Sequence, residues 1–208
     1  MRLLYLHGFR SSPQSAKAVT MLWHVLAYNA HNLNMPAAQR IQWHCPQLPP
    51  SPRQAMVKIM RWVRSVDAAQ PLAVIGSSLG GYYAAQVAER TGARCVLLNP
   101  AVFPARDLQA FIGRVKNWHD EGGYAFTQQH VDELQALENC SFTQPQRYAA
   151  IISKGDEVLN WREMTARYPA AHLRLLKRSD HAISEFDDFA SGVLRFVLKG
   201  GAAGSGSF

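Results

Sequence analysis

The sequence has few cysteines and no long apolar stretch. Its cysteines, Cys45, Cys95 and Cys140, are odd in number and form no CxxC pair, which favours reduced thiols over disulfides or a zinc site. No apolar run approaches the length of a membrane span. The apolar residues 2–6 are too few for the core of a signal peptide and lead directly into a polar segment. We therefore expect a cytoplasmic protein without a membrane span.

Charged residues are also sparse. They make up 18% of the 208-residue chain against 48% hydrophobic residues, as in an ordinary globular protein and unlike a disordered one. The net charge of +7 comes partly from one predicted basic helix, residues 52–69. The basic residues of that helix are Arg53, Lys58, Arg61 and Arg64. Because they alternate with apolar residues at helical spacing, we interpret them as the solvated face of an amphipathic helix. No nucleic-acid motif accompanies them, so no nucleic-acid partner is predicted.

The most informative motif is Gly76-Ser-Ser-Leu-Gly80, which directly follows the apolar run 71–75. It matches G-x-S-x-G placed between a predicted strand and a predicted helix. A serine at the tip of such a turn has strained backbone angles, so its neighbours two positions away must lack side chains. Only Ser78 has glycine both two positions before it and two positions after it, which predicts Ser78 as a nucleophile and Ser77 as a packing residue. The alternatives are a turn without chemistry or one that binds phosphate, although the patterns GxxxxGK[ST] and GxGxxG are absent.

Apolar or alternating runs typical of strands are interspersed with helical patterns along the chain. The runs are residues 2–6, 41–45, 71–75, 94–98, 148–152 and 173–176. This alternation predicts one domain over residues 1–199, with a doubly wound, mainly parallel sheet of about six strands. The first helix is predicted to start at Ser12-Pro13 and to bury Val19, Leu22, Trp23, Val25 and Leu26. Residues 103–146 are predicted to form a small cap, and the Gly/Ala/Ser-rich residues 200–208 a flexible tail or cloning remnant.

Polar residues follow several predicted strands at their carboxyl ends, where doubly wound sheets bind ligands. Among them, Ser78, Asp156 and His181 occur in the order nucleophile, acid, histidine that is typical of α/β-hydrolases. In such a triad, His181 accepts the serine proton during attack, and Asp156 holds the imidazole tautomer and stabilises the imidazolium. The sequence therefore predicts a catalytic triad at one rim of the sheet.

The first strand ends in His7-Gly8-Phe9, which we assign to the oxyanion loop. The backbone N–H groups of Phe9 and Leu79 are the nominated oxyanion-hole donors. Gly8 lets the loop approach closely, and His7 is expected to order the loop rather than to act as a base. Both His7 and Gly8 are predicted to contact the substrate.

Other titratable residues are weaker candidates. Glu157 is the fallback acid, while Asp180, Glu185, Asp187 and Asp188 are interpreted as charges of a loop and a first helical turn. His44 lies beside Cys45, but no further residue has metal-ligand spacing, so neither a metal nor a cofactor is predicted.

Several segments together resemble one family. They are Leu4–Phe9 with Ser11-Ser12-Pro13, Pro46–Pro50, Gly76–Ala84, Asn99–Val102, Gly155–Leu159 and His181-Ala182. These residues resemble the bacterial YqiA-type esterases, small α/β-hydrolases, and the likeness covers most of residues 2–198. The resemblance implies an α/β-hydrolase fold and a serine esterase or thioesterase acting on short acyl esters, with Ser78, Asp156 and His181 in the triad positions.

The predicted function is cofactor-free hydrolysis of a small-molecule acyl ester or thioester. Two alternatives stay open at this point. The same triad can transfer the acyl group to an acceptor other than water, or the fold can be a catalytically silent binding module whose basic helix recruits an anionic partner. The sequence leaves the oligomeric state undetermined.

Overall fold

The computed structural model describes residues 1–36, 40–65, 70–117, 121–138, 142–169 and 171–199. The strands are β1 (Arg2–Leu6), β2 (Gln42–His44), β3 (Leu72–Ser77), β4 (Arg94–Leu98), β5 (Gly113–Lys116), β6 (Gly123–Phe126), β7 (Tyr148–Ser153) and β8 (His172–Leu176). The helices are α1 (Ala16–His31), α2 (Pro52–Ser65), α3 (Leu79–Thr91), α4 (Pro104–Leu108), α5 (Gln128–Gln135), α6 (Trp161–Arg167) and α7 (Asp187–Leu198).

Six strands form one sheet in the order β2-β1-β3-β4-β7-β8. Every neighbouring pair in this sheet is parallel, which confirms the predicted topology. The inner strands are almost completely buried because helices cover both faces, and this explains their near-continuous apolar sequences. All carboxyl ends therefore meet at a single rim.

Alternate side chains of the strands divide the core into two clusters. Leu4 and Leu6 point to the face covered by α2 and α3, whereas Leu3 and Tyr5 point to the face covered by α1 and α7. Both clusters consist of fully or nearly fully buried residues. The helices on both faces of the sheet therefore hold the carboxyl ends of its strands in place.

The prediction for the first helix is partly wrong. The helix begins at Ala16, because Ser12 forms a separate turn in which its hydroxyl accepts the N–H of Gln14. Trp23 and Leu26 are 67% and 47% exposed. Val25 is buried as predicted, and the other buried residues of the helix are Ala18 and Met21, which belong to the same cluster as residues of α7.

The segment between β4 and β7 contains an element that the sequence did not indicate. After α4 and a short 3₁₀ turn, β5 and β6 pair as an antiparallel hairpin, and α5 follows. The hairpin lies over the loop after β1, where Phe9 makes edge-to-face contacts with Tyr124 and Phe126. The role of residues 103–146 as a cap and the domain limits 1–199 stay predictions, and the predicted tail 200–208 lies outside the described residues. In the described ranges, no helix combines the length and the apolarity needed to cross a bilayer.

Candidate active site

Ser78 occupies the sharp turn between β3 and α3. Its backbone angles, φ 55° and ψ −124°, are unusual for a residue other than glycine. A Cβ on Gly76 would lie 2.2 Å from the carbonyl oxygen of Gly80, and one on Gly80 would lie 2.0 Å from the carbonyl oxygen of Leu6. Only glycine fits at either position. Ser78 is half-buried, whereas Ser77 is 6% exposed, as a packing residue should be.

Asp156 and His181, from the loops after β7 and β8, are in direct contact. His181 Nδ1 lies 2.8 Å from Asp156 Oδ2, and the Asp156 side chain is 0% exposed. The other carboxylate oxygen of Asp156 accepts the backbone N–H groups of Val158 and Leu159 at 2.8 and 2.7 Å. The carboxylate is thus aimed by its own loop. In the part of the chain that the structure describes, no hydrogen bond joins the Ser78 hydroxyl to His181.

The loop after β1 approaches Ser78 closely. A Cβ on Gly8 would lie 3.1 Å from Ser78 Cβ and 3.5 Å from its Oγ, so the absence of a side chain brings this loop against the serine. Leu79 is the first residue of α3, where helical N–H groups lack intrahelical partners. Among the described residues, the N–H groups of Phe9 and Leu79 donate to no protein acceptor outside the regular ladders. Both remain candidates for binding an oxyanion.

A cavity of about 450 Å³ opens beside these groups. Its walls include His7, Gly8, Phe9 and Leu79, together with residues 47–50, Lys58, Tyr83 and Tyr124. Ser78, Asp156 and His181 do not line it, and Gly8 and Leu79 are the lining residues that adjoin Ser78. Burial raises the pKa of Tyr124 to about 12, so its hydroxyl stays protonated over the neutral range. The volume falls within the range of small-molecule sites.

His7 connects two walls of this cavity. Its Nε2 accepts the backbone N–H of Leu48 at 3.2 Å, which leaves Nδ1 to donate to the carbonyl oxygen of Gly8 at 3.0 Å. The side chain is 3% exposed. It joins the loop 46–50 to the loop after β1, in accord with the predicted ordering role.

The remaining acidic candidates have other partners. Glu157 accepts the backbone N–H of His181 at 3.0 Å rather than an imidazole N–H. Asp180 accepts the hydroxyl of Ser184, and this hydrogen bond lowers the pKa of Asp180. Glu185 accepts the hydroxyl of Ser179, and Asp187 pairs with His24 at 2.8 Å. Asp188 lies in the first turn of α7.

Sequence reasoning missed two residues at this rim. The side chain of Asn99, which is fully buried after β4, donates to the carbonyl oxygens of Asp180 and His181. Lys17, on α1, donates to the carbonyl oxygens of His181 and Ala182. Burial lowers the pKa of Lys17 to about 8, although Asp180, Asp156 and Glu157 oppose this shift. The position of Asn99 directly after a buried strand was an available signal, whereas nothing in the sequence linked Lys17 to the rim.

His44, Cys45 and the basic residues of α2 were considered above for binding a metal ion or an anionic partner. His44 stacks on Trp62 at 4.4 Å, and burial lowers the pKa of His44 and raises that of Cys45 to about 12. Across the described ranges, no group of three His, Cys, Asp or Glu side chains is arranged to hold a metal ion. Three basic residues of α2 line a groove of about 850 Å³ between α2 and α5, namely Arg53, Arg61 and Arg64. Glu133 in that groove pairs with Arg53 at 3.5 Å.

The parallel sheet, with a strained serine between β3 and α3 and an Asp–His pair after the last two strands, defines the class of α/β-hydrolase folds. Within that class, the chain belongs to the family described as "Uncharacterised protein family (UPF0227)", the YqiA family, whose model matches residues 2–198. The resemblance inferred from the sequence is thereby confirmed.

Solved structures with the same fold are distant in sequence. Est1E from Butyrivibrio proteoclasticus, solved with ferulic acid bound, has a TM-score of 0.70 at 13% identity, covering 95% of this chain and 88% of that one. Alpha/beta hydrolase domain-containing protein 10 from mouse has a TM-score of 0.68 at 14% identity, covering 93% and 89%. A structure from work on the metagenome-derived lipolytic enzymes LipS and LipT has a TM-score of 0.66 at 18% identity, covering 95% and 93%. At these identities the likeness extends to the fold.

Proposed function

We propose that this protein is a serine hydrolase that cleaves carboxylic esters or thioesters of short acyl chains. The observation that carries the proposal is the 2.8 Å contact between His181 Nδ1 and the fully buried carboxylate of Asp156, at the same sheet rim as Ser78. A buried carboxylate that receives Nδ1–H leaves Nε2 unprotonated, and Nε2 is the atom that must accept the serine proton.

The reaction follows from these positions. Ser78 Oγ attacks the acyl carbon while His181 accepts its proton, and the tetrahedral oxyanion receives hydrogen bonds from the N–H groups of Phe9 and Leu79. His181 then donates the proton to the leaving alcohol or thiol, and an acyl-enzyme remains. Water, deprotonated by His181, releases the acid and restores Ser78. The approach of the imidazole to Ser78 tightens when substrate binds, as hydrogen bonds in unliganded sites commonly do.

The cavity supports a small substrate. Its volume of about 450 Å³ suits a short acyl ester, and its walls combine aromatic side chains with the loop that carries Phe9. We expect preference for short acyl chains over long ones, since Gly123 and Tyr124 of the hairpin β5–β6 form one wall of the cavity beside Phe9.

The test is a series of p-nitrophenyl esters and acyl thioesters of graded chain length, combined with a fluorophosphonate probe. Wild-type protein should turn over the short esters and take up the probe on Ser78. Ser78→Ala should lose activity by several orders of magnitude with unchanged folding, whereas Ser77→Ala should keep most of it. A wild-type protein that neither labels nor turns over any ester would refute the proposal in favour of a silent binding module. Product analysis with added alcohols or amines separates hydrolysis from acyl transfer.

A further inference from the structure

The backbone of His181 is held by side chains from three different elements. Asn99 Nδ2 donates to its carbonyl oxygen at 3.1 Å, Lys17 Nζ donates to the same oxygen at 3.4 Å, and Glu157 Oε2 accepts its N–H at 3.0 Å. A loop residue whose N–H and C=O both have side-chain partners has little freedom to move. None of these three contacts involves the imidazole ring, which is hydrogen-bonded to Asp156.

Asn99 makes the most extensive of these contacts. Its Nδ2 also donates to the carbonyl oxygen of Asp180 at 3.0 Å and lies 3.3 Å from Ser153 Oγ, while its Oδ1 accepts the N–H of Ser153 at 2.8 Å. The Ser153 N–H can only donate, so it fixes which end of the amide faces the histidine loop. Asn99 is 0% exposed, and its φ of 42° is a value that asparagine tolerates better than most residues.

The segment around Asn99 also holds the nucleophile. The N–H of Ser78 donates to the carbonyl oxygen of Leu98 at 3.0 Å, and the N–H of Ala101 donates to the carbonyl oxygen of Ser78 at 3.1 Å. The four residues 98–101 therefore contact both the serine turn and the histidine loop. Through Ser153, whose carbonyl oxygen accepts the N–H of Asp156, they also reach the loop of the acid.

We propose that Asn99 is a positioning residue that sets the distance between His181 and Ser78 by anchoring the histidine loop to the strand end that also anchors the serine turn. The proposal rests on the function proposed above, and Lys17 assists from the α1 side. Asn99 touches no reacting atom. Its effect is on geometry, and misplacement of a reacting group by about 1 Å costs on the order of 100-fold in rate.

The test is Asn99→Asp, which keeps the acceptor for Ser153 and replaces the donor to the two carbonyl oxygens by a second acceptor. We expect kcat to fall about 10- to 100-fold with KM nearly unchanged, and fluorophosphonate labelling to slow in parallel. Protonation of the new carboxyl restores an O–H donor, so the deficit against wild type should shrink as pH is lowered from about 9 to about 6. Tm measured over the same pH range separates this recovery of kcat from a recovery of the folded fraction, which is all that a purely structural role would produce.

The matched control is Asn29→Asp. The Asn29 side chain has the same pair of contacts, accepting the N–H and donating to the C=O of Ile41, each at 2.9 Å, but far from the rim. This variant should have a lowered Tm and wild-type kcat. If Asn99→Asp folds and labels at the wild-type rate, Asn99 has no positioning role, and the proposed hydrolase function is unaffected. If wild type itself does not label, the proposed function fails and this proposal fails with it.

Lys17 provides a second measurement if Asn99→Asp does not fold. Lys17→Met removes the donor to His181 and Ala182 from the surface side of the loop, and Lys17→Arg retains a donor. We expect kcat to fall several-fold in Lys17→Met and to recover in Lys17→Arg. Wild-type kcat in Lys17→Met would overturn the anchoring of the histidine loop as a determinant of rate.

Discussion

Replacing Asp156 by asparagine should cost about 10⁴-fold in kcat without unfolding the protein. Asp156 accepts three hydrogen bonds, two from backbone N–H groups at one oxygen and one from His181 at the other. In the variant, the amide oxygen must keep facing the two backbone donors because an amide nitrogen cannot accept them. The amide NH₂ group therefore faces His181 Nδ1.

This arrangement selects the wrong tautomer of His181. An NH₂ donor pairs with an unprotonated Nδ1, which places the imidazole proton on Nε2, the atom that must accept the proton of Ser78. At 1.36 kcal/mol per factor of ten, a 10⁴-fold loss corresponds to about 5 kcal/mol of transition-state stabilisation. The two backbone hydrogen bonds survive, so Tm should change little.

The assay is kcat for a short p-nitrophenyl ester, with Tm and fluorophosphonate labelling measured on the same samples. Glu157→Gln is the control, since its amide oxygen still accepts the N–H of His181, and its kcat should stay within a few-fold of wild type. More than a tenth of wild-type activity in Asp156→Asn would refute the reasoning. Retained activity in Asp156→Asn together with a deep loss in Glu157→Gln would identify Glu157 as the acid instead.

Three further predictions concern the surroundings of the triad. Gly80→Ala places a Cβ 2.0 Å from the carbonyl oxygen of Leu6. The free energy of unfolding measured in urea should therefore fall by about 3 kcal/mol. A free energy of unfolding equal to that of wild type would contradict this packing. Lys17 has a pKa lowered by burial from 10.5 to about 8, so wild-type kcat should decline above pH 8 as the charged donor is lost, and Lys17→Arg should abolish the decline. Because the unfolded chain binds this proton up to higher pH, the contribution of Lys17 to stability rises over the same interval, so the loss of this proton does not itself unfold the protein. Phe9→Ala keeps the backbone donor but removes the ring contacts with the hairpin β5–β6. KM from steady-state kinetics should therefore rise several-fold, and the free energy of unfolding in urea should fall by about 3 kcal/mol. Unchanged values of both would show that the hairpin does not depend on Phe9.

The sheet was predictable because its inner strands are buried on both faces, which makes their sequences continuously apolar. β1, β3, β4 and β7 were all placed within one or two residues. The hairpin β5–β6 was missed, since each of its strands has four residues and only Val115 and Phe126 are buried. Such short, mostly exposed strands have no periodicity that separates them from a loop.

The first helix shows a different limit. Trp23 and Leu26 were assigned to the core together with Val25, yet both are exposed, and the helix packs through Ala18, Met21 and Val25. Which face of α1 is buried depends on its contact with α7, a neighbour that is distant in sequence.

The site was partly predictable for a similar reason. Residues directly after strands meet at the carboxyl rim of a parallel sheet, so the candidates Ser78, Asp156 and His181 followed from position and residue type. The contact between Asp156 and His181 agrees with that prediction, and the catalytic role of all three stays a proposal. The role of Lys17 could not be predicted from the sequence, because its contacts arise where α1 passes the loop after β8.

The backbone at Ser78 restricts which other nucleophiles this scaffold can adopt. Threonine carries the same hydroxyl, but a β-branched side chain is strongly disfavoured at φ 55°, and the extra methyl group would add to the crowding between Ser78 Cβ and Gly8. Cysteine adds no branch and meets neither obstacle. The backbone of this turn therefore accommodates Ser78→Cys, which exchanges an oxygen nucleophile for sulfur. It does not accommodate Ser78→Thr, although threonine keeps the hydroxyl group.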